Sequence, residues 1–140
     1  AFGGGDYTLD LNYEWHADES VLAYARAKLS HAARLGNLEA PIDTVVLQIK
    51  DDERFLQSAR HGKQFGFGGK LCIHPAQIPL THQVFTPSQD EIAHARAVVA
   101  AFEAAEAEGS ASIQLDGYFI DYPIVYKSQR ILALADSLLS

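Results

Sequence analysis

Two aspartates near opposite ends of the chain have side chains that could do chemistry, and each also has a structural alternative. Asp6 follows the glycines Gly3–Gly5, and a carboxylate at the end of a strand is a hard oxygen ligand suited to Mg²⁺. Its alternative is an aspartate that caps a local turn. Asp121 stands two residues before Pro123, where it is either a helix N-cap or a buried acid–base carboxylate. Taken alone, these positions favour the turn for Asp6 and the cap for Asp121.

The glycine-rich stretch Gly66–Gly69 precedes a lysine, as in a phosphate-binding loop, but its pattern does not match one. Such a loop needs Ser or Thr directly after Gly-Lys, and Leu71 follows Lys70 here. Leu71 also occupies the last glycine position of the G-x-G-x-x-G pattern. A turn that leads into the next strand is the better interpretation.

His74 and Pro75 end a short predicted strand. His74 either takes part in acid–base chemistry or is hydrogen-bonded in place and orients a loop. The remaining histidines lack metal-binding spacing such as H-E-x-x-H and are interpreted as surface or supporting residues. Asp43 begins its strand, which favours a structural role, and Cys72 lies within a strand and is interpreted as an inert core residue.

Composition limits the class of protein. The chain has 140 residues, 48% of them apolar, which suits one ordinary domain with a real core. No apolar run approaches the roughly 20 residues of a membrane span, and no basic region followed by an apolar stretch indicates a signal peptide. The net charge of −7 argues against wide nucleic-acid binding. One cysteine excludes an internal disulfide and favours a reducing compartment.

Helical and strand-like segments alternate along the chain. Helices are predicted at about 18–35, 51–62, 88–107 and from 123 onward, strands at 42–49 and 70–73, and an extended segment at 114–120. Residues 74–87 are expected to be less regular. The apolar start resembles the end of one more strand. Alternation of this kind predicts right-handed βα units with a parallel sheet.

Three strands are too few for a stable two-sided sheet, but they suit the last part of an eight-stranded barrel followed by extra helices. In such barrels ligand residues lie at the carboxyl ends of strands and in the loops that follow. Asp6, the region after Ile49 and His74 would all lie there.

Several motifs occur together in one order. They are Phe2–Asp6, Ala25-Arg26, Pro41–Thr44, Gly66–Ile78, Phe85–Ser88 and Ile120–Pro123. Together they resemble the citrate lyase beta-subunit and malyl-CoA lyase branch of the HpcH/HpaI aldolase family. The resemblance covers essentially the full chain, and its most specific part is the stretch G-F-x-G-K-x-x-I-H-P-x-Q.

The resemblance implies a (β/α)₈ barrel, of which this chain would supply about strands 6–8 and the C-terminal helices. Residues 1–109 would form the barrel part with its following helix. Residues 110–140 would be an extension that packs on a neighbouring subunit. The family usually forms trimers or hexamers, and a cytoplasmic location is expected.

The family's functional residues map onto few positions here. Asp6 matches the aspartate that binds Mg²⁺, whereas the partner glutamate and a substrate-binding arginine lie upstream in the family. Gly5 stands where many members have a glutamate, a departure shared by malyl-CoA lyases. Asp121 matches the acid–base aspartate of a D-x-P motif, and His74 and Pro75 would lie near coenzyme A.

The implied activity is Mg²⁺-dependent cleavage of a 3-hydroxyacyl-CoA thioester of the citryl-, malyl- or citramalyl-CoA type into acetyl-CoA and a 2-oxo acid. Two alternatives stay open: a non-catalytic barrel that binds acyl-CoA or organic acids, and an aldolase acting on free 2-oxo acids. The D-x-P extension favours the CoA branch. We expect the isolated chain to be inactive and to need its missing half.

Overall fold

A computed structural model describes residues 1–138. They form two compact units, Ala1–Phe85 and the described residues from Thr86 onward. The division falls after Phe85. The long helix predicted at 88–107 therefore belongs to the second unit, although the predicted barrel part, residues 1–109, included it. The packing of residues 110–140 on a neighbouring subunit stays a prediction. No helix among the described residues is both long and apolar enough to span a membrane.

The first unit alternates helices with two very short strands. Its elements are α1 (Gly4–Asp10), a 3₁₀ turn (Ser20–Leu22), α2 (Ala23–Leu35), β1 (Ile42–Asp43), α3 (Asp52–Gln64), β2 (Gly69–Lys70) and α4 (Gln77–Phe85). The second unit contains α5 (Gln89–Ala107), β3 (Ile113–Leu115), β4 (Tyr118–Ile120) and α6 (Tyr122–Ser137).

The two strands of the first unit are parallel, with Ile42 opposite Gly69 and Asp43 opposite Lys70. The backbone N–H of Phe2 donates to the Ile42 carbonyl at 2.8 Å, so the start of the chain lies along the other side of β1. Three neighbouring chain segments joined by helices therefore give the mixed α/β arrangement that the alternation predicted. Closure into an eight-stranded barrel stays a prediction.

The strands are much shorter than the predicted segments 42–49 and 70–73, and the side chain of Gln77 explains why. Its Nε2 donates to the Val46 carbonyl at 3.0 Å, and its Oε1 accepts from the Ile73 N–H at 2.9 Å. The amide thus satisfies backbone groups on both segments where ladder bonds would otherwise continue. The apolar residues beyond it, including Leu47 and Ile73, are exposed rather than sandwiched in a sheet.

Helix α4 was not predicted, because residues 74–87 looked irregular. Pro79 lies in its first turn, where the missing N–H costs no intrahelical bond. The helix buries Val84 against Phe55, Leu56 and Ala59 of α3. Tertiary packing therefore stabilises a segment whose local pattern did not indicate a helix.

The second unit follows its predicted boundaries closely. Ser88 and Glu91 form the predicted capping box at the start of α5, with bonds of 3.1 Å and 2.8 Å. The extended segment is a hairpin that turns at Asp116 and Gly117, both with positive φ, as a two-residue type I′ turn requires. The α5, hairpin and α6 side chains meet in one core. Its fully buried members are Val98, Phe102, Ile120 and Val125.

Candidate functional site

Asp6 lies in the first turn of α1. This helix begins two residues after Phe2, whose backbone is hydrogen-bonded to β1. The glycines predicted a turn at this point, but the structure has a short helix whose N-cap, Gly3, makes no side-chain capping bond. The Gly4 N–H donates to Thr44 Oγ1 at 2.9 Å, which fixes α1 to the residue after β1. A Cβ on Gly4 would lie 2.8 Å from that oxygen, so only glycine allows this approach.

The Asp6 carboxylate fits a partial Mg²⁺ site. It is exposed, and no lysine, arginine or histidine among residues 1–138 lies within ion-pair distance of it. No group of three or more His, Cys, Asp or Glu side chains in the described chain could hold a metal by itself. Because protein Mg²⁺ sites often use one or two carboxylates together with waters and substrate oxygens, Asp6 suits the role of one such ligand.

A cleft of about 420 Å³ opens beside α1, at the carboxyl end of β1. We name it the α1–α3 cleft. It is lined by Trp15, His16, Ala17, Val46, Leu47, Gln48, Asp51 and Arg54. Trp15 connects it to α1, since a Cβ on Gly5 would lie 3.9 Å from Cζ3 of the indole.

Asp43 is fully buried and holds two cations. Its Oδ1 accepts from Arg26 Nε at 3.0 Å, and its Oδ2 accepts from Arg26 Nη2 at 2.9 Å and from Lys70 Nζ at 3.0 Å. Lys70 Nζ also donates to Ser58 Oγ at 2.8 Å. These bonds join α2, β1, α3 and β2, which is the structural role that Asp43's place at the start of a strand predicted.

Glu19 extends the same buried network. Its carboxylate lies 2.7 Å from Arg26 Nη2, 2.8 Å from Arg54 Nη2 and 3.6 Å from His61 Nδ1. Burial by itself raises the pKa of Glu19, but its bond to Ser58 and the charges of Arg26 and Arg54 outweigh burial and leave that pKa below its ordinary value. Glu19 is therefore ionised across the neutral pH range.

The pKa values of the two buried cations, Arg26 and Lys70, shift in opposite directions. It lowers the pKa of Arg26, but the bonds and charges of Asp43 and Glu19 more than compensate and leave that pKa raised. For Lys70 burial dominates, so its pKa is lowered even though Asp43 pulls it upward. Arg26 is thus the firmly charged partner of both carboxylates.

His74 and Pro75 lie in the exposed loop between β2 and α4. His74 Nδ1 accepts from the Ala76 N–H at 3.2 Å, which supports the loop-orienting interpretation of this histidine. Cys72 is exposed and its Sγ lies 3.1 Å from Thr81 Oγ1, so the prediction of a core cysteine is wrong. The reason is the short β2, which ends before it reaches Cys72.

Asp121, in the second unit, occupies the N-cap position of α6 but makes no side-chain capping bond. Its backbone carbonyl accepts from the Ile124 and Val125 N–H groups, each at 3.1 Å. Pro123 at the second helical position has no N–H to offer the carboxylate. The predicted N-cap position is confirmed, while the half-buried side chain remains available for other partners.

Comparison with known proteins assigns the family. Residues 1–75, more than half of the chain, match the model of the HpcH/HpaI aldolase/citrate lyase family. The chain belongs to this family, as the motifs indicated. The beta subunit of citrate lyase from Escherichia coli K12 is 39% identical over 136 residues, which are 97% of this chain and 45% of that protein.

Two further similarities extend this result. The mitochondrial citramalyl-CoA lyase of Rattus norvegicus is 33% identical over 137 residues, 98% of this chain and 40% of that protein. The chain thus spans less than half the length of these curated relatives. The solved structure of CitE from Mycobacterium tuberculosis, in complex with magnesium, acetoacetate and coenzyme A, superposes with a TM-score of 0.80 at 28% identity. It covers 96% of this chain and 50% of that one.

Proposed function

We propose that this chain forms part of a Mg²⁺-dependent carbon–carbon lyase that cleaves a 3-hydroxyacyl-CoA thioester into acetyl-CoA and a 2-oxo acid. The observation that carries the proposal is the Asp6 carboxylate in a chain of this family. It is exposed at the start of α1 and has no cationic partner among residues 1–138. The magnesium, acetoacetate and coenzyme A bound by CitE support the choice of ligands.

In this proposal the first unit supplies strands 6–8 of a (β/α)₈ barrel. The Phe2 segment, β1 and β2 lie side by side in that order, and Asp6 follows the first of them. A glutamate outside the described residues would complete the metal ligands. His74 and Pro75, exposed after β2, are proposed to line the approach of coenzyme A.

The proposed chemistry divides between the two aspartates. Asp6 holds Mg²⁺, which when bound stabilises negative charge on the oxygens of the organic acid unit. The C–C bond breaks as the hydroxyl releases its proton to solvent and becomes a carbonyl, and the electron pair of the broken bond passes to the acetyl-CoA enolate. Asp121 in its acid form gives the enolate carbon its proton. In the synthetic direction the Asp121 carboxylate removes that proton.

Asp121 suits this role because the helix cap does not use its carboxylate. We propose that residues 110–140 reach a neighbouring subunit of a homotrimer or hexamer, so that Asp121 acts in that subunit's site. A cytoplasmic location accords with the exposed free thiol of Cys72.

The CoA branch is preferred over an aldolase on free 2-oxo acids because the citrate lyase beta subunit and the citramalyl-CoA lyase match 97% and 98% of this chain, including the segment that carries Asp121. A barrel that only binds acyl-CoA would retain ligand affinity without turnover. Supplying citryl-, malyl- and citramalyl-CoA in parallel and measuring acetyl-CoA release separates the three functions and identifies the thioester.

The decisive variant for the acid–base step is Asp121→Asn in the complete protein. Acetyl-CoA release should fall at least about 100-fold, the range for a lost general acid, while Mg²⁺ affinity and the unfolding midpoint stay unchanged. Asp116→Asn, in the exposed hairpin turn, is the matched control and should keep full turnover. Turnover by Asp121→Asn equal to that of the control would refute the assignment.

The metal role is tested separately by calorimetric titration with Mg²⁺. Asp6→Ala should lose most of the affinity because it removes a direct ligand. Asp10→Ala, an exposed carboxylate on the same helix, should bind Mg²⁺ as the unaltered protein does. Equal affinity of Asp6→Ala and Asp10→Ala would remove Asp6 from the metal site.

A further inference from the structure

The α1–α3 cleft carries two buried hydrogen-bond donors that have no partner. Trp15 Nε1 and Arg54 Nη1 are both shielded from solvent, and neither has an acceptor among the described residues. Both side chains line the cleft. Buried N–H groups are almost always satisfied in proteins, so two around one cleft indicate a missing acceptor.

The charges around Arg54 indicate that the missing acceptor is negatively charged. Arg26, Arg54 and Lys70 are three cations joined to only two carboxylates, Glu19 and Asp43. Glu19 is already shared between Arg26 and Arg54 at 2.7 and 2.8 Å, so Arg54 receives only part of one negative charge. An arginine whose side chain is only 13% exposed normally has a fuller set of partners.

The charge of Arg54 favours an anion over a neutral group as the missing acceptor. A guanidinium N–H and an indole N–H can each donate to one oxygen of a planar two-oxygen anion. The other lining residues are apolar at Val46 and Leu47 and polar at His16, Gln48 and Asp51. The Asp51 carboxylate is already engaged as the cap of α3, because it accepts from the backbone N–H of Arg54 at 2.9 Å. A volume of about 420 Å³ is large enough for a small organic acid.

We propose that the α1–α3 cleft is an anion-binding site in which Arg54 and Trp15 bind a carboxylate of the organic acid. The identity of the acid rests on the proposed function, whereas the carboxylate chemistry does not. The Trp15 indole, which lines the cleft, lies beside Gly5, the residue before Asp6. One wall of the cleft therefore packs near the helix that carries the proposed metal ligand. Arg54 and Gln48 would then help to determine which acid is accepted.

The test uses the complete protein with ¹⁵N-labelled tryptophan, freed of divalent metal on a chelating resin. The indole N–H signal of Trp15, assigned by its loss in Trp15→Phe, is followed while malonate or coenzyme A is added. Malonate should shift the signal and saturate. A shift by coenzyme A alone would also support an anion site, and would assign the anion to its phosphates.

The matched pair of variants is Arg54→Gln and Arg60→Gln, which remove the same charge from the same helix. The Arg60 side chain is about half-exposed, and its one ion pair among the described residues is with Glu53, at 3.4 Å. Arg54→Gln should weaken malonate binding about 10- to 100-fold, as expected for a lost charge-assisted bond, and Arg60→Gln should leave it within about twofold. If Arg54→Gln disturbs the fold, exposed Gln48 offers a second variant. Gln48→Glu places a negative charge in the cleft and should weaken malonate binding similarly.

Either of two results would overturn the inference: a Trp15 signal that neither probe changes, or equal malonate binding by Arg54→Gln and Arg60→Gln. The acceptors of the two buried donors would then belong to another part of the protein. Because the metal is removed beforehand and no turnover is measured, this outcome is separate from failure of the lyase proposal. The lyase proposal fails if none of the thioesters releases acetyl-CoA, regardless of whether malonate shifts the Trp15 signal.

Discussion

Removing the negative charge of Asp43 should destabilise the first unit more than any exposed substitution. Asp43→Asn keeps the shape of the side chain but replaces a carboxylate that accepts three N–H bonds from two buried cations. The amide offers one acceptor oxygen, and its NH₂ group then faces a cationic donor. Glu19 would then be the one carboxylate left in the network to balance the charges of Arg26, Arg54 and Lys70.

The size of the effect follows from these contacts. About two charge-assisted bonds are lost, each worth about 1.5–3 kcal/mol. That range overlaps the cost of about 3–5 kcal/mol for removing one partner of a buried ion pair. Since a domain's total stability is only about 5–15 kcal/mol, Asp43→Asn should lose a large part of it.

Urea denaturation of the complete protein, followed by circular dichroism, measures this loss. Asp52→Asn is the matched control, because Asp52 is exposed in the first turn of α3 and contributes about 0.3–1 kcal/mol through the helix dipole. The reasoning is refuted when Asp43→Asn costs no more than Asp52→Asn, since the buried network would then not hold the fold together.

Three further predictions concern stability. Gly62→Ala should cost about 1–3 kcal/mol in urea denaturation despite alanine's better helix propensity, because its Cβ would lie 2.7 Å from Asp43 Oδ2; a gain in stability would contradict this. Ser88→Ala should cost about 1 kcal/mol by removing the cap of α5, and an unchanged midpoint would count against it. Because the pKa of Glu19 is lowered on folding, its stabilisation is full above the ordinary value of 4.5 and is lost as pH falls through the folded pKa. Glu19→Gln should flatten this part of the pH–stability curve, and an unchanged slope would argue against it.

Much of the fold could be predicted because local patterns determine it. The capping box at Ser88, the helices around it and the parallel order of segments follow from helix periodicity and alternation. Strand length could not be predicted in this way. An apolar, β-branched run after Ile42 is typical of a buried strand, but the competing bonds from Gln77 depend on a residue far along the chain.

The candidate site was only partly visible in the sequence. Asp6 and Asp121 were identified by their motifs, and Asp43 by its place on a strand. Arg26 and Lys70 stood in quoted motifs, yet their pairing with Asp43 needs three separate segments to meet. The α1–α3 cleft gave no sequence signal, since Trp15 and Arg54 are 39 positions apart in the chain.

The central claim is that Asp6 binds the catalytic Mg²⁺, and a crystal structure of the complete protein with Mn²⁺ in place of Mg²⁺ and a 2-oxo acid tests it most directly. We predict an anomalous-scattering peak about 2.1 Å from an Asp6 carboxylate oxygen, with the acid bound to the same ion. A metal peak away from Asp6, with its carboxylate pointing into solvent, would contradict the account.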